Sequence, residues 1–166
     1  MSERDGDIVI RAAEPDRDLL AIIALNRFVQ DVHVAAEPST FRSSDDMPGV
    51  EDFHVGFMDA GDRYTFVAEV DAEPVGYVTL ERQQRAAHTF SFARDRLYVH
   101  QVGVHPRHRR RGVGRALMSR VDALARELGI SEVALDSWSF NTDAIRFFET
   151  LGFAEYNVRL RKPEPS

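Results

Sequence analysis

The chain has 166 residues, of which 43% are hydrophobic and 29% are charged, a composition typical of one globular domain spanning residues 1–166. Its formal charge is −6, and it contains no cysteine, which excludes disulfides, thiolate metal sites and a cysteine nucleophile. The start "MSERDGD" is unlike a signal peptide, and no stretch approaches the roughly 18 apolar residues of a membrane helix. We therefore expect a cytoplasmic protein without a membrane partner, frayed over about six residues at its start and about four at its end.

The first half of the chain predicts a strand, two helices and a hairpin. Residues 7–13 alternate and are rich in β-branched side chains, which is typical of a strand. Apolar residues recur at helical spacing over 14–38, and 50–61 predicts a short helix. Strands at 63–70 and 75–83, joined by "DAEP", fit a hairpin.

The second half continues with alternating strands and helices. After a loop or edge segment at 85–95, the pattern predicts strand, helix, strand, helix and strand at 96–104, 112–128, 131–138, 142–151 and 153–162. Asn141 is placed to cap the last helix, and Gly129 and Gly152 are placed to end the two helices. The order of elements indicates a mixed α/β fold.

A cationic turn interrupts this acidic chain in "VHPRHRRRGVGRALM" (104–118). Five arginines between 107 and 115 have no acid among them, so the remainder of the chain carries −11. Proteins that grip long polyanions usually spread their positive charge over a face. The concentration of charge at one point favours a small, local anion, although a solvated surface and nucleic-acid binding stay open as alternatives.

The same turn lies where a strand ends and a helix begins. The first turn of a helix has N–H groups without an intrahelical partner, and the helix dipole adds positive potential there. Gly112 and Gly114 allow close approach to the backbone, and guanidinium groups match phosphate oxygens. No Gly-Lys-Ser/Thr follows, and Leu117 stands where a dinucleotide fingerprint has its third glycine. The turn suits a pyrophosphate without matching either of these motifs.

Two segments together resemble a known family. "RRRGVG" reads as Arg/Gln-x-x-Gly-x-Gly at Arg109, Gly112 and Gly114, and "NTDAIRFFETLGF" follows at 141–153. In this order they resemble the GNAT superfamily of N-acetyltransferases. The resemblance implies a single-domain α/β (α+β) fold with a mixed, mostly antiparallel sheet and about four helices. It also implies a splay between strands 96–104 and 131–138, and acetyl-coenzyme A as co-substrate.

The resemblance also implies which residues bind the coenzyme. The pyrophosphate is expected on the turn, at Arg109, Arg110, Arg111, Gly112, Val113, Gly114 and Arg115. The N–H of Val102 is expected to bond the acetyl carbonyl, and Val104, beside Gly103, is expected to pair with pantetheine. The later segment is expected to border the pantetheine arm through Asn141, Ala144, Phe147 and Phe148.

Strand 96–104 also carries the candidate base. By alternation, Tyr98, His100, Val102 and Val104 are expected to share one face. The ordinary pKa of histidine, about 6.5, suits a base at neutral pH, so His100 is the first candidate and Tyr98 the second. A histidine satisfied by local hydrogen bonds is the alternative. His105 and His108 lack a completing carboxylate or cysteine, so we expect no metal.

The sequence departs from the family at one position. Phe148 stands where many members have a tyrosine that protonates the departing thiolate. Either coenzyme A leaves as the thiolate, or another hydroxyl or water helps. The same departure leaves open a non-catalytic coenzyme A binder or sensor.

The resemblance implies transfer of acetyl to a primary amine by direct attack, with a small molecule or a protein amino group as acceptor. Acids between the first two helices could attract a cationic amine, or they could be solvated surface: Glu37, Asp45, Asp46, Glu51 and Asp52. We expect no nucleic-acid partner, and homodimer formation stays open.

Overall fold

The computed structural model describes residues 7–162, so the expected fraying of the two ends lies outside the described residues. Five strands are present: β1 (Val9–Ala12), β2 (Arg63–Val70), β3 (Glu73–Arg85), β4 (Arg94–Val104) and β5 (Val133–Leu135). The helices are α1 (Pro15–Ala36), α2 (Val50–Asp59), α3 (Val113–Leu128) and α4 (Thr142–Glu149), with a short 3-10 turn at Pro106–His108.

The sheet has the order β1-β2-β3-β4-β5. The first three pairings are antiparallel, and β4 pairs with β5 in parallel, which confirms the mixed, mostly antiparallel sheet. The predicted hairpin is β2–β3, and its two connecting residues, Asp71 and Ala72, both have positive φ. Such a pair matches the right-handed twist of the flanking strands. β3 ends at Arg85 and β4 begins at Arg94, so residues 86–93 form the connection inside the segment predicted to be a loop or edge segment.

Contacts divide the chain into two compact units, one ending at Asp136 and one beginning at Ser137. In the first unit, α1 and α2 lie against one face of the sheet and α3 against the other. Ile22 and Leu25 of α1 are buried with Tyr77, whereas Val113 and Leu117 of α3 lie against Gly76 on the opposite face. Alternation along β3 separates the two contact sets.

Helix α1 has a composition that the sequence analysis did not anticipate. Over an 18-residue window its mean hydropathy is 1.4, so its length and composition would suit a membrane span, contrary to our expectation for the chain. In the structure, however, Ile22 and Leu25 pack on the sheet, and Asp18 is fully buried in an ion cluster near the start of the helix. Ile22 and Leu25 thus contribute to the core of the first unit, whereas Leu20 and Val32 are exposed.

The second unit contains α4. The side chain of Asn141 accepts a hydrogen bond from the N–H of Ala144 at 3.4 Å, which confirms the predicted cap. The predicted strand at 153–162 is wrong, because this stretch contains no strand. Its alternation indicates an apolar face, but a strand also needs a hydrogen-bonded neighbour. Within residues 7–162 the sheet has five strands, and Tyr156, Val158 and Leu160 are exposed.

An ion cluster joins β1, α1 and β2. Arg11 donates to both carboxylate oxygens of Asp18 at 2.6 and 2.7 Å, and to Glu69 at 2.6 Å. Asp18 also accepts from the N–H of Glu14. The hydrogen bonds from Arg11 are the main cause of the lowered pKa values of Asp18 and Glu69. A carboxyl group whose pKa is lower in the folded than in the unfolded state stabilises the fold when the pH lies above its unfolded-state pKa. That stabilisation is lost as the pH falls through its folded-state pKa.

Asp18→Asn is expected to lower the free energy of unfolding by about 3 kcal/mol at pH 7, because it removes the fully buried anion that Arg11 binds through two hydrogen bonds and leaves Arg11 with Glu69 alone. Wild-type stability should fall between about pH 5 and pH 2, and the variant should show a flatter dependence. Urea unfolding across pH measures both. Asp45→Asn is the matched control, since its pair with Arg27 is exposed. A variant as stable and as pH-dependent as the wild type would contradict the role of the cluster.

Candidate active site

A β-bulge in β4 sets the geometry of the site. Thr79 pairs with Gln101 and Leu80 pairs with Val99, so His100 is the extra residue of the bulge. One extra residue on one strand shifts the hydrogen-bonding phase of everything beyond it. The N–H of Leu97 points away from β3 and donates to Glu132, whereas the N–H of His105 points toward β3 and donates to Val75.

This shift turns two amides of β4 outward. Backbone N–H groups alternate in direction along a strand, so the amides of Val102 and Val104 point away from β3 when that of His105 points toward it. On that outer side β5 pairs only with Leu97 to Val99. Within residues 7–162, no strand pairs with the outer edge of β4 beyond Val99. The predicted splay between β4 and β5 is confirmed. It leaves the outer edge of β4 beyond Val99 without a neighbouring strand in residues 7–162.

The bulge also divides side chains that the sequence analysis placed on one face, and that prediction is wrong. The rings of Tyr98 and His100 lie 5.0 Å apart on the α2 side, and His100 also contacts Phe57 of α2. Val104 pairs with Gly76, which lies against α3, so Val104 and Val102 face the opposite side. A strict alternation over 98–104 fails because one residue is inserted.

The candidate base, His100, has a carboxylate partner that the sequence analysis missed. Its Nε2 lies 3.2 Å from Oε1 of Glu81 on β3. Gln83 is the main cause of the lowered pKa of Glu81, and His100 and Arg63 also lower it. The ionised carboxylate therefore favours a proton on Nε2 and leaves Nδ1 as the proton acceptor. Glu81 belongs to no sequence motif. It lies beside His100 because the register of β3 and β4 sets Glu81 opposite Tyr98.

The arginine-glycine turn, residues 107–115, has an irregular backbone. Arg110 and Gly112 both have positive φ, at 60° and 86°, and Gly112 is the N-cap of α3. The first helical bond runs from Ala116 to the carbonyl of Gly112. Within residues 7–162, the amides of Gly112, Val113, Gly114 and Arg115 donate to no backbone carbonyl. These amides provide the donors that an anion needs.

The side chains of the turn add positive charge. Arg109, Arg110 and Arg115 are exposed, and within the described part of the chain none forms an ion pair with a carboxylate. Arginines of the sheet are different, since Arg82 and Arg94 pair with Asp95 and Glu132. Burial is the main cause of the lowered pKa of His105, and the nearby His108, Arg107 and Arg109 also lower it. The exposed arginines without carboxylate partners in residues 7–162, and their effect on the pKa of His105, both indicate a positive local potential, which favours an anion.

The remaining predicted coenzyme residues belong to the second unit. Asn141 and Ala144 form the cap of α4. The ring of Phe148 lies 5.2 Å from Phe147 and 5.6 Å from Phe153, so it takes part in an aromatic cluster within that unit. Their roles toward the coenzyme stay predictions.

An open cavity of about 360 Å³ lies between α1, the following loop, α2 and β4. Asn26, His54 and Gln101 form its polar end. Asn26 Nδ2 donates to Tyr77 Oη and Gln101 Oε1, at 2.9 and 3.1 Å, and Tyr77 donates to the same oxygen of Gln101 at 3.0 Å. Burial raises the pKa of Tyr77, which keeps this donor protonated. The volume falls within the roughly 300–1,000 Å³ of small-molecule sites.

The rest of the cavity wall has an apolar part and a smaller polar part. Gln30, Thr40 and Arg42 are polar, and the apolar residues are Phe41, Met47, Pro48, Val50 and Phe53. None of the five acids between the first two helices, which could either attract an amine or be solvated surface, lines this cavity. Asp45 pairs with Arg27 and Asp46 pairs with Arg42, which favours the solvated-surface interpretation of these two acids. The sequence analysis missed Asn26 and His54, although each is a polar residue on the buried stripe of an amphipathic helix.

Comparison of the sequence with known protein families identifies the family of this chain. The sequence pattern of the Acetyltransferase (GNAT) family matches residues 27–153, about three quarters of the chain. The chain belongs to this family. The bulged strand, the splay and the arginine-glycine turn all lie within the matched range, and the predicted resemblance is confirmed.

Relatives agree with this assignment. The chain is 34% identical over 94 residues to a streptothricin acetyltransferase of Streptomyces lavendulae, covering 56% of this chain and 46% of that protein. It is 29% identical over 65 residues to the uncharacterized N-acetyltransferase YdgE of Bacillus subtilis, covering 39% of this chain and 41% of YdgE. The chain spans less than half the length of the curated relatives it matches.

Solved structures share the fold at low identity. A tetramutant of the BH1408 protein from Bacillus halodurans superposes with a TM-score of 0.87 at 21% identity, covering 93% of this chain and 99% of that one. The aminoglycoside N-acetyltransferase AAC(6')-Iy, in complex with coenzyme A, gives 0.75 at 19% identity over 99% of this chain and all of that one. At these identities the similarity shows the fold alone.

Proposed function

We propose that this protein transfers acetyl from acetyl-coenzyme A to a primary amine by direct attack in a ternary complex. The observation that carries the proposal is the outward turn of the Val102 and Val104 amides at the splay. Family membership and a neighbour in complex with coenzyme A support the donor. Direct attack is favoured because the chain has no cysteine to hold an acyl group.

The residues present fit the coenzyme. The amides from Gly112 to Arg115 and the exposed guanidinium groups of Arg109 and Arg110 would hold the pyrophosphate. The outward N–H of Val104 would hydrogen-bond the pantetheine arm. The coenzyme supplies the acetyl thioester, and these residues place its carbonyl beside the N–H of Val102.

The chain's own groups then serve the transfer. The amine nitrogen bonds to the carbonyl carbon, the carbon–sulfur bond breaks, and the N–H of Val102 stabilises the charge on the carbonyl oxygen. His100 accepts the proton that the amine loses, and Glu81, 3.2 Å from its Nε2, orients its ring. His100 lies two residues from Val102, about 6–7 Å along a strand, so the proton passes through water.

Release of coenzyme A needs no phenol. Phe148 has no proton to give, but a thiol with a pKa near 8.5 is a fair leaving group as the thiolate. The same residue is the specific observation that favours the second candidate function, a coenzyme A binder that does not turn over. A cytoplasmic location, without nucleic acid as partner, is part of the proposal.

A thiol-release assay over a panel of primary amines tests the proposal, with coenzyme A affinity measured in parallel by calorimetry. We expect tight coenzyme binding and amine-dependent release of thiol with matching acetylated product. Tight binding without turnover of any amine would favour the non-catalytic binder. Affinity for duplex DNA at physiological salt, without coenzyme binding, would instead support nucleic-acid binding.

A further inference from the structure

The lining of the cavity contains one charged residue, and that residue is a cation. Within the described residues, Arg42 is the only charged side chain in the wall, and no carboxylate contributes. Its guanidinium lies 3.3 Å from Asp46, an exposed pair that screens this cation only partly. An acceptor with several ammonium groups would find no carboxylate among the lining residues, where the one charged side chain is Arg42.

The polar end of the cavity offers uncharged acceptors to an amine. Both N–H donors of Asn26 are used by Tyr77 and Gln101, and its Oδ1 has no partner among residues 7–162. Asn26 is 6% exposed as a residue, and this oxygen is a neutral acceptor that suits an N–H group. His54 is 2% exposed, and burial lowers its pKa, so its imidazole is uncharged at neutral pH.

The remaining wall suits an apolar group. Phe41, Met47, Pro48, Val50 and Phe53 present aromatic and aliphatic surface beside that polar end. Burying the body of a ligand against such a surface is favourable in proportion to its apolar area. A second ammonium in the cavity would lose hydration and find only the neutral side chains of Gln30 and Thr40, without a carboxylate.

We propose that this cavity takes acceptors carrying one amine on an aromatic or branched aliphatic body, and that it discriminates against polyamines and aminoglycosides. The proposal rests on the proposed function, in which this cavity receives the acceptor. It separates this chain from the neighbour whose structure was solved with an acetylneamine bisubstrate analogue.

Equilibrium binding tests the preference without requiring catalysis. With the protein saturated by coenzyme A at about 0.15 M salt, calorimetry compares 2-phenylethylamine with spermidine. We expect 2-phenylethylamine to bind at least ten-fold more tightly. Spermidine binding as tightly or more tightly, or no measurable binding of either amine, would overturn the proposal.

A charge reversal sharpens the test. Phe53 lines the cavity but is 56% exposed, so Phe53→Glu should fold and place a carboxylate in the wall. We expect the preference for 2-phenylethylamine over spermidine to fall at least ten-fold. Leu20→Glu is the matched control, because Leu20 is 75% exposed on α1 outside the cavity. An equal loss of preference in both variants would show a global charge effect and contradict the cavity assignment.

Failure of this inference and failure of the proposed function give different results. Selective binding of 2-phenylethylamine without acetyl transfer supports the cavity chemistry and contradicts the enzyme. Acetylation of spermidine with the higher kcat/KM supports the enzyme and overturns the cavity chemistry.

Discussion

Gly114→Glu is expected to weaken coenzyme A binding at least about a hundred-fold, which corresponds to about 2.7 kcal/mol. Gly114 lies in the first turn of α3, where the amides of Val113, Gly114 and Arg115 have no backbone acceptor within residues 7–162. A carboxylate there enters the space of the pyrophosphate and occupies the same positive end of the helix. The fold should tolerate it, because an acidic side chain near a helix N-terminus is stabilising.

The matched control is Gly61→Glu, which adds the same side chain outside the turn. A Cβ at Gly61 meets no atom within 4 Å, and its φ is not positive. Calorimetric titration should give near-wild-type affinity for this control, and the melting temperature of Gly114→Glu should equal or exceed that of the wild type. Unchanged coenzyme affinity in a folded Gly114→Glu protein would contradict the proposed pyrophosphate site.

The arginine-glycine turn was predictable from the sequence because it depends only on residues that are close together in the chain. Its function depends on residues within one strand-to-helix connection, and the cap at Gly112 follows from glycine's freedom at positive φ. The Asn141 cap of α4 is local in the same way. The contributions of Val102 and Gly114 to coenzyme binding stay predictions until binding is measured.

The register between β3 and β4 is the feature of the site that could not be predicted from the sequence. No glycine or proline marks His100 as a bulge residue, since a bulge depends on how β4 is matched to β3. The outward amides, the division of Tyr98 from Val102 and the pairing with Glu81 all follow from that match. The strand predicted at 153–162 failed for a related reason, because alternation alone does not provide a neighbouring strand.

The bulge also joins two parts of the proposed chemistry. The inserted residue is His100 itself, so one backbone feature exposes the Val102 amide on one side of β4 and the imidazole on the α2 face. Removing the side chain at His100 should therefore affect proton transfer while leaving the backbone donor in place. This separation makes the base testable independently of coenzyme binding.

His100→Ala is expected to lower kcat about a hundred-fold at pH 7, since general base catalysis contributes roughly 10²–10⁴-fold. The amine must then lose its proton to water. For an amine with a pKa of about 10.4, the free-base fraction rises about ten-fold per pH unit below that value. The deficit of the variant should therefore shrink markedly between pH 7 and pH 9, with coenzyme affinity unchanged.

Two further variants distinguish a base from a structural histidine. Glu81→Gln keeps an acceptor for His100 Nε2 but replaces the carboxylate that orients the ring by a neutral amide, so a smaller loss, about ten-fold, is expected. His88→Ala, in the loop between β3 and β4, is the matched histidine control and should retain wild-type turnover. Steady-state kinetics from pH 6 to pH 9 measure all three. If His100→Ala stays within two-fold of the wild type throughout that range, water deprotonates the amine without the imidazole, and the base is not His100.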